Sequence, residues 1–313
     1  MPTSTERLQS LIASPGIIPA MAIHDVFSAL IAEKAGIPLL FIGGFGTCAS
    51  LHGLPDLNFI TLPEMADAVR RTTAAVKTPV IVDGDTGHGD LHNVQHTVRS
   101  FERAGAAGML LEDQVMPKRC GHFNEKAVIP KDEMVLKIKA AVAAKTDPKF
   151  TLIARTDARA IDGIDAAIDR MNAYCEAGAD VAFVEAPEST EELKLVSQQV
   201  SYPLFANLLT GGKTPIHSTT ELAEMGYKFA VLPIESLMVC ARALEDLCST
   251  FLNTGRADEL AASATTFAEL KTLLKVDQHL GIKKSLESET SPTVASPGSD
   301  SPGWNQARSG STD

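Results

Sequence analysis

Runs of four to seven apolar residues recur along this chain. Between them lie longer stretches in which apolar residues return every three or four positions. Residues 16–22, 38–42, 79–82, 107–111, 150–154, 180–184, 203–206 and 228–232 are of the first kind. Strands buried on both faces read this way, because neither side-chain direction meets water. The second kind covers 1–15, 24–35, 63–76, 91–104, 131–144, 163–177, 188–199 and 217–225. Within 24–35, Val26, Phe27, Leu30 and Ile31 share a helical face, and Gly36 follows where a left-handed cap is wanted. The same ending returns at Glu102-Arg103-Ala104-Gly105, Glu176-Ala177-Gly178 and Glu224-Met225-Gly226, each just ahead of a strand. Apolar strands alternating with amphipathic helices predict an α/β fold with a parallel sheet. Roughly eight such units predict a closed (β/α)8 TIM-type barrel rather than an open sheet. No Gly-x-Gly-x-x-Gly opens the first helix, which argues against a dinucleotide-binding sheet.

Past the last strand, helices are expected at 235–254 and 267–274, extra to the barrel. From Ser285 the chain turns to Ser, Thr, Pro, Gly and Asp. Residues 1–284 therefore read as one catalytic barrel domain. Residues 285–313, with the only tryptophan, Trp304, read as a disordered tail. The 313 residues are 44% hydrophobic, enough for one large core. A net charge of −11 with scattered Lys and Arg argues against nucleic acid and anionic membranes as partners. No apolar run approaches the ~20 residues of a membrane span, and no basic-then-apolar leader opens the chain. The five cysteines include no CxxC pair. They fit reduced thiols of a cytoplasm, or of a mitochondrial or other organellar matrix.

The polar residues fall at strand ends, where a barrel of this kind does its chemistry. Gly43 and Gly44 follow the second strand, Asp83 and Asp85 the third, Glu112 the fourth and Arg155-Thr156-Asp157 the fifth. Glu185 follows the sixth and Asn207 the seventh, and Glu235 lies past the eighth. A lone charge at a half-buried strand end is costly, so such a ring calls for a common purpose. Asp83, Asp85 and Glu112 are hard oxygen donors and suit Mg2+ or Mn2+ held partly through water. Alternation along a strand would point Asp83 and Asp85 the same way. The competing reading makes such acids helix caps, and Asp90 is expected to be one. His88, His92 and His96 share a four-residue spacing, but the last two are placed on a helix away from the barrel mouth. Cys120 stands among Lys118, Arg119 and His122. Positive neighbours lower a thiol pKa, so it can serve as a proton donor or as a nucleophile. The long polar segment from about 116 to 128 is expected to be a mobile lid that brings Cys120 in.

The segments Glu112-Asp113-Gln114 and Lys118-Arg119-Cys120-Gly121-His122 resemble those of the isocitrate lyase/phosphoenolpyruvate mutase superfamily. The resemblance runs from about residue 15 to 275. It takes in Gly53-Leu54-Pro55-Asp56, Asp83-Gly84-Asp85-Thr86-Gly87, Ala154-Arg155-Thr156-Asp157, Val184-Glu185-Ala186 and residues 207–215. The family fold is the (β/α)8 barrel, with a last helix that commonly swaps between subunits to give dimers and tetramers. Its substrates are small 2-hydroxy or 2-oxo acids chelated to Mg2+. The resemblance implies Asp83, Asp85 and Glu112 at the metal and Asp56 beside the metal or the substrate. It implies Cys120 as general acid, with Lys118 and Arg155 among the catalytic groups. Substrate contacts then fall to Phe41, Gly43, Gly44, His122, Arg155, Glu185, Asn207 and Thr214, with Gly44 offering its N–H to a carboxylate. The implied reaction is cleavage of a carbon–carbon bond in a 2-methylisocitrate- or 2,3-dimethylmalate-like acid. An oxaloacetate hydrolase or decarboxylase, a phosphonate mutase or hydrolase, and a non-catalytic metabolite-binding barrel are the alternatives. Two departures bear on the substrate. Many relatives carry Ser or Thr where this chain has Gly43. Glu235 would repel a dianion unless protonated or turned away.

Overall fold

In the computed structural model, residues 2–119, 121 and 126–290 are described. The chain folds into two compact units, one reaching to Ala257 and the other starting at Asp258. Strands β1 (Ile18–Ile23), β2 (Leu39–Ile42), β3 (Val80–Asp83), β4 (Gly108–Glu112), β5 (Thr151–Thr156), β6 (Val181–Val184), β7 (Phe205–Asn207) and β8 (Phe229–Leu232) form one parallel sheet. Neighbours follow chain order and β1 pairs with β8. A parallel bridge between Ala182 and Leu204 joins β6 to β7, which closes the ring into the expected barrel.

Helix α1 (Ser4–Ala13) precedes β1. Helices α2 (Val26–Lys34), α3 (Gly44–His52), α4 (Leu62–Ala75), α5 (Leu91–Arg103), α6 (Lys131–Ala144), α7 (Arg159–Asp162), α8 (Ile164–Glu176), α9 (Thr190–Gln199), α10 (Thr219–Glu224) and α11 (Glu235–Thr254) follow in order. The second unit holds a 3-10 turn at Asp258–Leu260, α12 (Phe267–Leu273) and α13 (Val276–Thr290). Helix α13 carries on across Ser285, where the composition changes. Asp90 caps α5 in a reciprocal box with Asn93, as its position suggests. Gly36 and Gly105 sit just past α2 and α5 at φ of 86° and 91°, a backbone that L side chains resist.

Two cores follow from strands buried on both faces. The outer one lies between strands and helices. The inner one fills the barrel with Leu39, Phe41, Ile81, Leu110, Ile153, Phe183, Phe205 and Phe229. Phe205 centres an aromatic layer, 4.7 Å from Phe183, 5.9 Å from Phe229 and 6.3 Å from Phe41 between ring centroids. Leu8 of α1 joins this inner core. Thr5 donates to Asp147 at 2.7 Å and Gln9 to the Lys149 carbonyl at 3.2 Å, so α1 stoppers the end where β5 begins. The aromatic layer is thereby the floor of whatever opens at the strands' C-terminal ends.

Candidate active site

A cavity of about 270 Å3 opens at those C-terminal ends. Its wall includes Phe41, Gly43, Gly44, Asp56, Asp83, Gly121, Arg155, Glu185 and Asn207. Strand β3 ends at Asp83, and the chain then turns through Asp85 at φ 47°. The two acids are therefore not set by strand alternation, contrary to the expectation from the sequence. Asp83 Oδ1 accepts from the Asp85 N–H at 3.0 Å, and Oδ2 accepts from the Gly44 N–H at 3.3 Å. Gly44 opens α3, so its amide is one of the donors a helix start leaves free of intrahelical bonds. Lys118 Nζ lies 2.7 Å from Asp56 Oδ1 and 2.6 Å from Asp85 Oδ1. The first contact is a hydrogen bond, and the second is a short buried ion pair.

Arg155 stands at the end of β5 among three carboxylates. Its Nε donates to Asp157 Oδ2 at 2.9 Å and Nη2 to Asp157 Oδ1 at 3.1 Å. Nη1 lies 3.3 Å from Glu112 Oε2, and Nη2 lies 3.3 Å from Glu185 Oε2. The guanidinium rides 5.6 Å over the Phe183 ring. Asn207 Nδ2 donates to Glu185 Oε2 at 3.4 Å, and Ala186 N–H to Glu185 Oε1 at 3.0 Å. Behind this layer, buried Asp113 accepts from Thr156 Oγ1 at 2.7 Å, Tyr174 OH at 2.8 Å and the Asp157 N–H at 2.9 Å. Arg170 lies 3.3 Å away. Asp113 thus ties α8 to the end of β5.

Among the described residues, the acids Asp56, Asp83, Asp85, Glu112, Asp157 and Glu185 face three cations, Lys118, Lys126 and Arg155. Burial pushes the Asp85 carboxyl from 3.8 up to about 7, with Lys118 opposing and Asp83 and Asp56 adding. Burial likewise lifts Glu112 well above the ordinary carboxylate range, against Arg155. Burial also works against the Lys118 charge, but Asp85, Asp83, Asp56 and Glu112 outweigh it and hold the ammonium well above its usual pKa. For Asp157, Arg155 and Lys126 overcome burial and hold the carboxyl at about 2.

Asp85 Oδ2, Glu112 Oε1 and Asn207 Oδ1 are buried without a hydrogen-bond partner, and Asp85 Oδ1 meets only the Lys118 ammonium. Among the described residues, no three Asp, Glu, His or Cys side chains already converge as a finished metal cage. The donor chemistry nonetheless fits a divalent cation. It consists of hard oxygens, in excess of the local positive charge and short of partners, which is what Mg2+ or Mn2+ satisfies.

Most of the residues singled out in the sequence meet here. Asp56, Asp83, Asp85, Glu112, Lys118, Arg155, Glu185, Asn207, Phe41, Gly43 and Gly44 all touch the cavity or the charges around it. Cys120 and His122 lie outside the described residues. Thr214 is buried in a smaller recess behind Glu185 and Asn207, off the main wall. Glu235 is turned away: Oε1 accepts from the Thr210 N–H at 2.8 Å and Oε2 from the Ile234 N–H at 3.2 Å. His92 and His96 are exposed on α5. The sequence pattern did not single out Phe45, Leu209, Pro233 and Ile234 on the wall, or Lys126 beside Asp157. Apolar residues just past strand ends were the available signal for the first four.

The sequence profile described as phosphoenolpyruvate phosphomutase matches residues 8–252. The chain is 38% identical over 272 residues to 2,3-dimethylmalate lyase of Eubacterium barkeri, with 87% of this chain and 94% of that protein covered. It is 38% identical over 281 residues to 2-methylisocitrate lyase of Halalkalibacterium halodurans, with 90% and 93% covered. Among solved structures, oxaloacetate acetylhydrolase with the inhibitor 3,3-difluorooxalacetate superposes with a TM-score of 0.86 at 30% identity, covering 91% of this chain and 97% of that one.

Proposed function

Because the chain belongs to the phosphoenolpyruvate phosphomutase family, within the isocitrate lyase/phosphoenolpyruvate mutase superfamily, we propose that it is a Mg2+-dependent carbon–carbon lyase. It cleaves a small 2-hydroxy dicarboxylate into a 2-oxo acid such as pyruvate and a second carboxylic acid. The observation that carries this reading is two buried carboxylate oxygens without a hydrogen-bond partner at the strand ends, Asp85 Oδ2 and Glu112 Oε1. Asp83, Asp85 and Glu112 are the residues that would hold Mg2+, or Mn2+ in its place. When bound there, such a cation would supply Lewis-acid polarisation of the substrate's oxygens.

The chain's own residues do the rest. Lys118 is held charged by its acidic neighbours and acts as a fixed positive charge, with Asp56 orienting it. Arg155 faces the charge that develops as the bond breaks, preorganised by Asp157, Glu112 and Glu185 so that little reorganisation is needed. Gly43, Gly44 and Phe45 bring the start of α3 to the wall, where a helix N-terminus favours a carboxylate. Phe41 and Phe183 exclude water from below. Cleavage leaves an electron pair on carbon, which takes the proton of the Cys120 thiol, and the proton given up by the 2-hydroxyl passes through solvent to restore that thiol. Glu185 and Asn207 set the substrate's far end, with Thr214 supporting them from behind, and His122 is a further substrate contact in this reading.

Substrate size follows from the wall. Phe41, Phe45, Leu209, Pro233 and Ile234 give an apolar side. That side suits the methyl groups of a 2,3-dimethylmalate-like acid better than the third carboxylate of a tricarboxylate, which would need a further cation. The likeness to an oxaloacetate acetylhydrolase structure favours hydrolysis as a second reading. The test is a panel of 2-hydroxy and 2-oxo acids with Mg2+. Pyruvate plus a second acid supports the lyase; oxalate plus acetate supports the hydrolase; a changed P–C bond supports phosphonate chemistry. No Mg2+-dependent turnover of any would sink the enzymatic reading in favour of a binding barrel. The same proposal includes a homo-oligomer, dimer or tetramer. In support, α11 buries none of its side chains among the described residues, and it exposes Val239, Leu244, Phe251 and Leu252. Sedimentation as a monomer would remove that part.

A further inference from the structure

Lys126 was not among the residues singled out above, yet its side chain is 2% exposed. Its Nζ donates to Asp157 Oδ1 at 2.6 Å and also to the Gly121 carbonyl. Asp157 Oδ1 is the same oxygen that accepts from Arg155 Nη2. Gly121 lies directly on the Arg155–Glu185 pair. A Cβ there would stand 2.7 Å from Glu185 Cδ and inside contact distance of Arg155 Nη2. The near side of the segment is pinned as well: Gln114 Oε1 accepts from the Arg119 N–H at 3.0 Å, and its Nε2 donates to the Arg119 carbonyl at 2.8 Å. Gln114 and Val128 are bridged antiparallel, so the two ends of the segment are drawn together.

Building on the reading of Arg155 as a substrate-facing group, we propose that Lys126 is a positioning residue. Through Asp157 it couples the seating of Gly121 to the aim of the Arg155 guanidinium. The physical reason is shared charge. Asp157 accepts from Arg155 with both oxygens and shares one of them, Oδ1, with Lys126 from the segment. Withdrawing Lys126 leaves Asp157 to Arg155 alone and frees the Gly121 carbonyl. Gly121 then loses what presses it onto Arg155 and Glu185. Only glycine tolerates that close approach, so the seat is specified from both sides.

Three variants test this: Lys126→Met, which keeps length and loses charge, Lys126→Arg, which restores charge, and Gly121→Ala, which displaces residue 121 from Arg155 and Glu185 with Lys126 intact. The first readout is tryptic cleavage after Arg119, which requires no substrate and so stands even if the lyase reading fails. K126M and G121A are expected to be cut at least tenfold faster than wild type, with K126R within threefold of it. The second readout is turnover of whichever acid the panel identifies: K126M should lose at least tenfold in kcat with KM within threefold. Wild-type cleavage of K126M after Arg119 would overturn the proposal. So would loss of activity that tracks a fall in Tm and is not restored by arginine.

Discussion

Asp85 offers the sharpest test of the cation reading, because the structure makes opposite demands on it in folding and in function. Its Oδ2 is buried without a hydrogen bond, its Oδ1 meets only Lys118, and burial lifts its pKa from 3.8 to about 7. The folded state therefore binds this proton more tightly than the unfolded chain, so stability falls as pH rises between those values. Below pH 3.8 the penalty is absent; above pH 7 it is complete. The shift of about 3 units corresponds to ~4 kcal/mol at 1.36 kcal/mol per unit. Asp85→Asn removes the charge and keeps the shape. In EDTA at pH 8 the variant should gain up to ~4 kcal/mol, less what Lys118 loses, which at about 2–4 °C per kcal/mol is a Tm rise of up to ~8–16 °C. The advantage should shrink as the pH is lowered toward 5. Mg2+ at a hundredfold above Kd should stabilise wild type by ~2.7 kcal/mol and leave the variant unmoved. Thermal unfolding with EDTA or Mg2+ reads both effects. A variant no more stable than wild type in EDTA, and still stabilised by Mg2+, would refute the reasoning.

Cys120→Ser should abolish turnover while circular dichroism and Tm stay at wild-type values; a fully active variant takes the thiol out of the mechanism. Tyr174→Phe removes one charge-assisted donor from Asp113 while Thr156 and the Asp157 amide remain. It should cost ~1.5–3 kcal/mol in urea unfolding, and an unchanged midpoint would show that the network bears no strain there. Glu235→Gln removes the charge and keeps the Thr210 contact through its one amide oxygen, giving up the longer bond from Ile234 because an amide nitrogen cannot accept it. Its kcat/KM should stay within threefold of wild type, and a gain of more than tenfold would mean that the carboxylate had faced the substrate after all.

The barrel was legible because strands buried on both faces leave no alternation to misread. The runs at 79–82, 107–111 and 228–232 fall within a residue or so of β3, β4 and β8. Helix α3 was not legible. Gly44 and Gly46 lower helix propensity, and Thr47 and Cys48 do little to mark a periodic face, yet tertiary burial of all four holds the helix. The neighbourhood of Asp85 followed from its strand end, but the reason was different: a left-handed turn after Asp83, not pleat alternation, sets it against Lys118. Glu235 was ambiguous because a carboxylate past a strand reads the same whether it faces the cavity or caps a loop. Only the Thr210 amide, 25 residues away in sequence, decides between them.

Lys126 shows the general limit. Flanked by Glu125 and Ala127 in a polar segment, it reads as a solvated side chain, and its partner Asp157 is 31 residues distant. Sequence places charges at strand ends one at a time. It does not say which acid each cation meets, and at this site that pairing sets the chemistry. Asp157 is held at about 2 because Arg155 and Lys126 converge on it. Asp85 rises to about 7 because burial outweighs the one cation against it. Two aspartates of the same type, each just past an apolar strand, are thereby driven in opposite directions. One becomes a permanent anchor for the guanidinium, and the other becomes a buried acid that Lys118 alone does not hold at the ordinary carboxylate value.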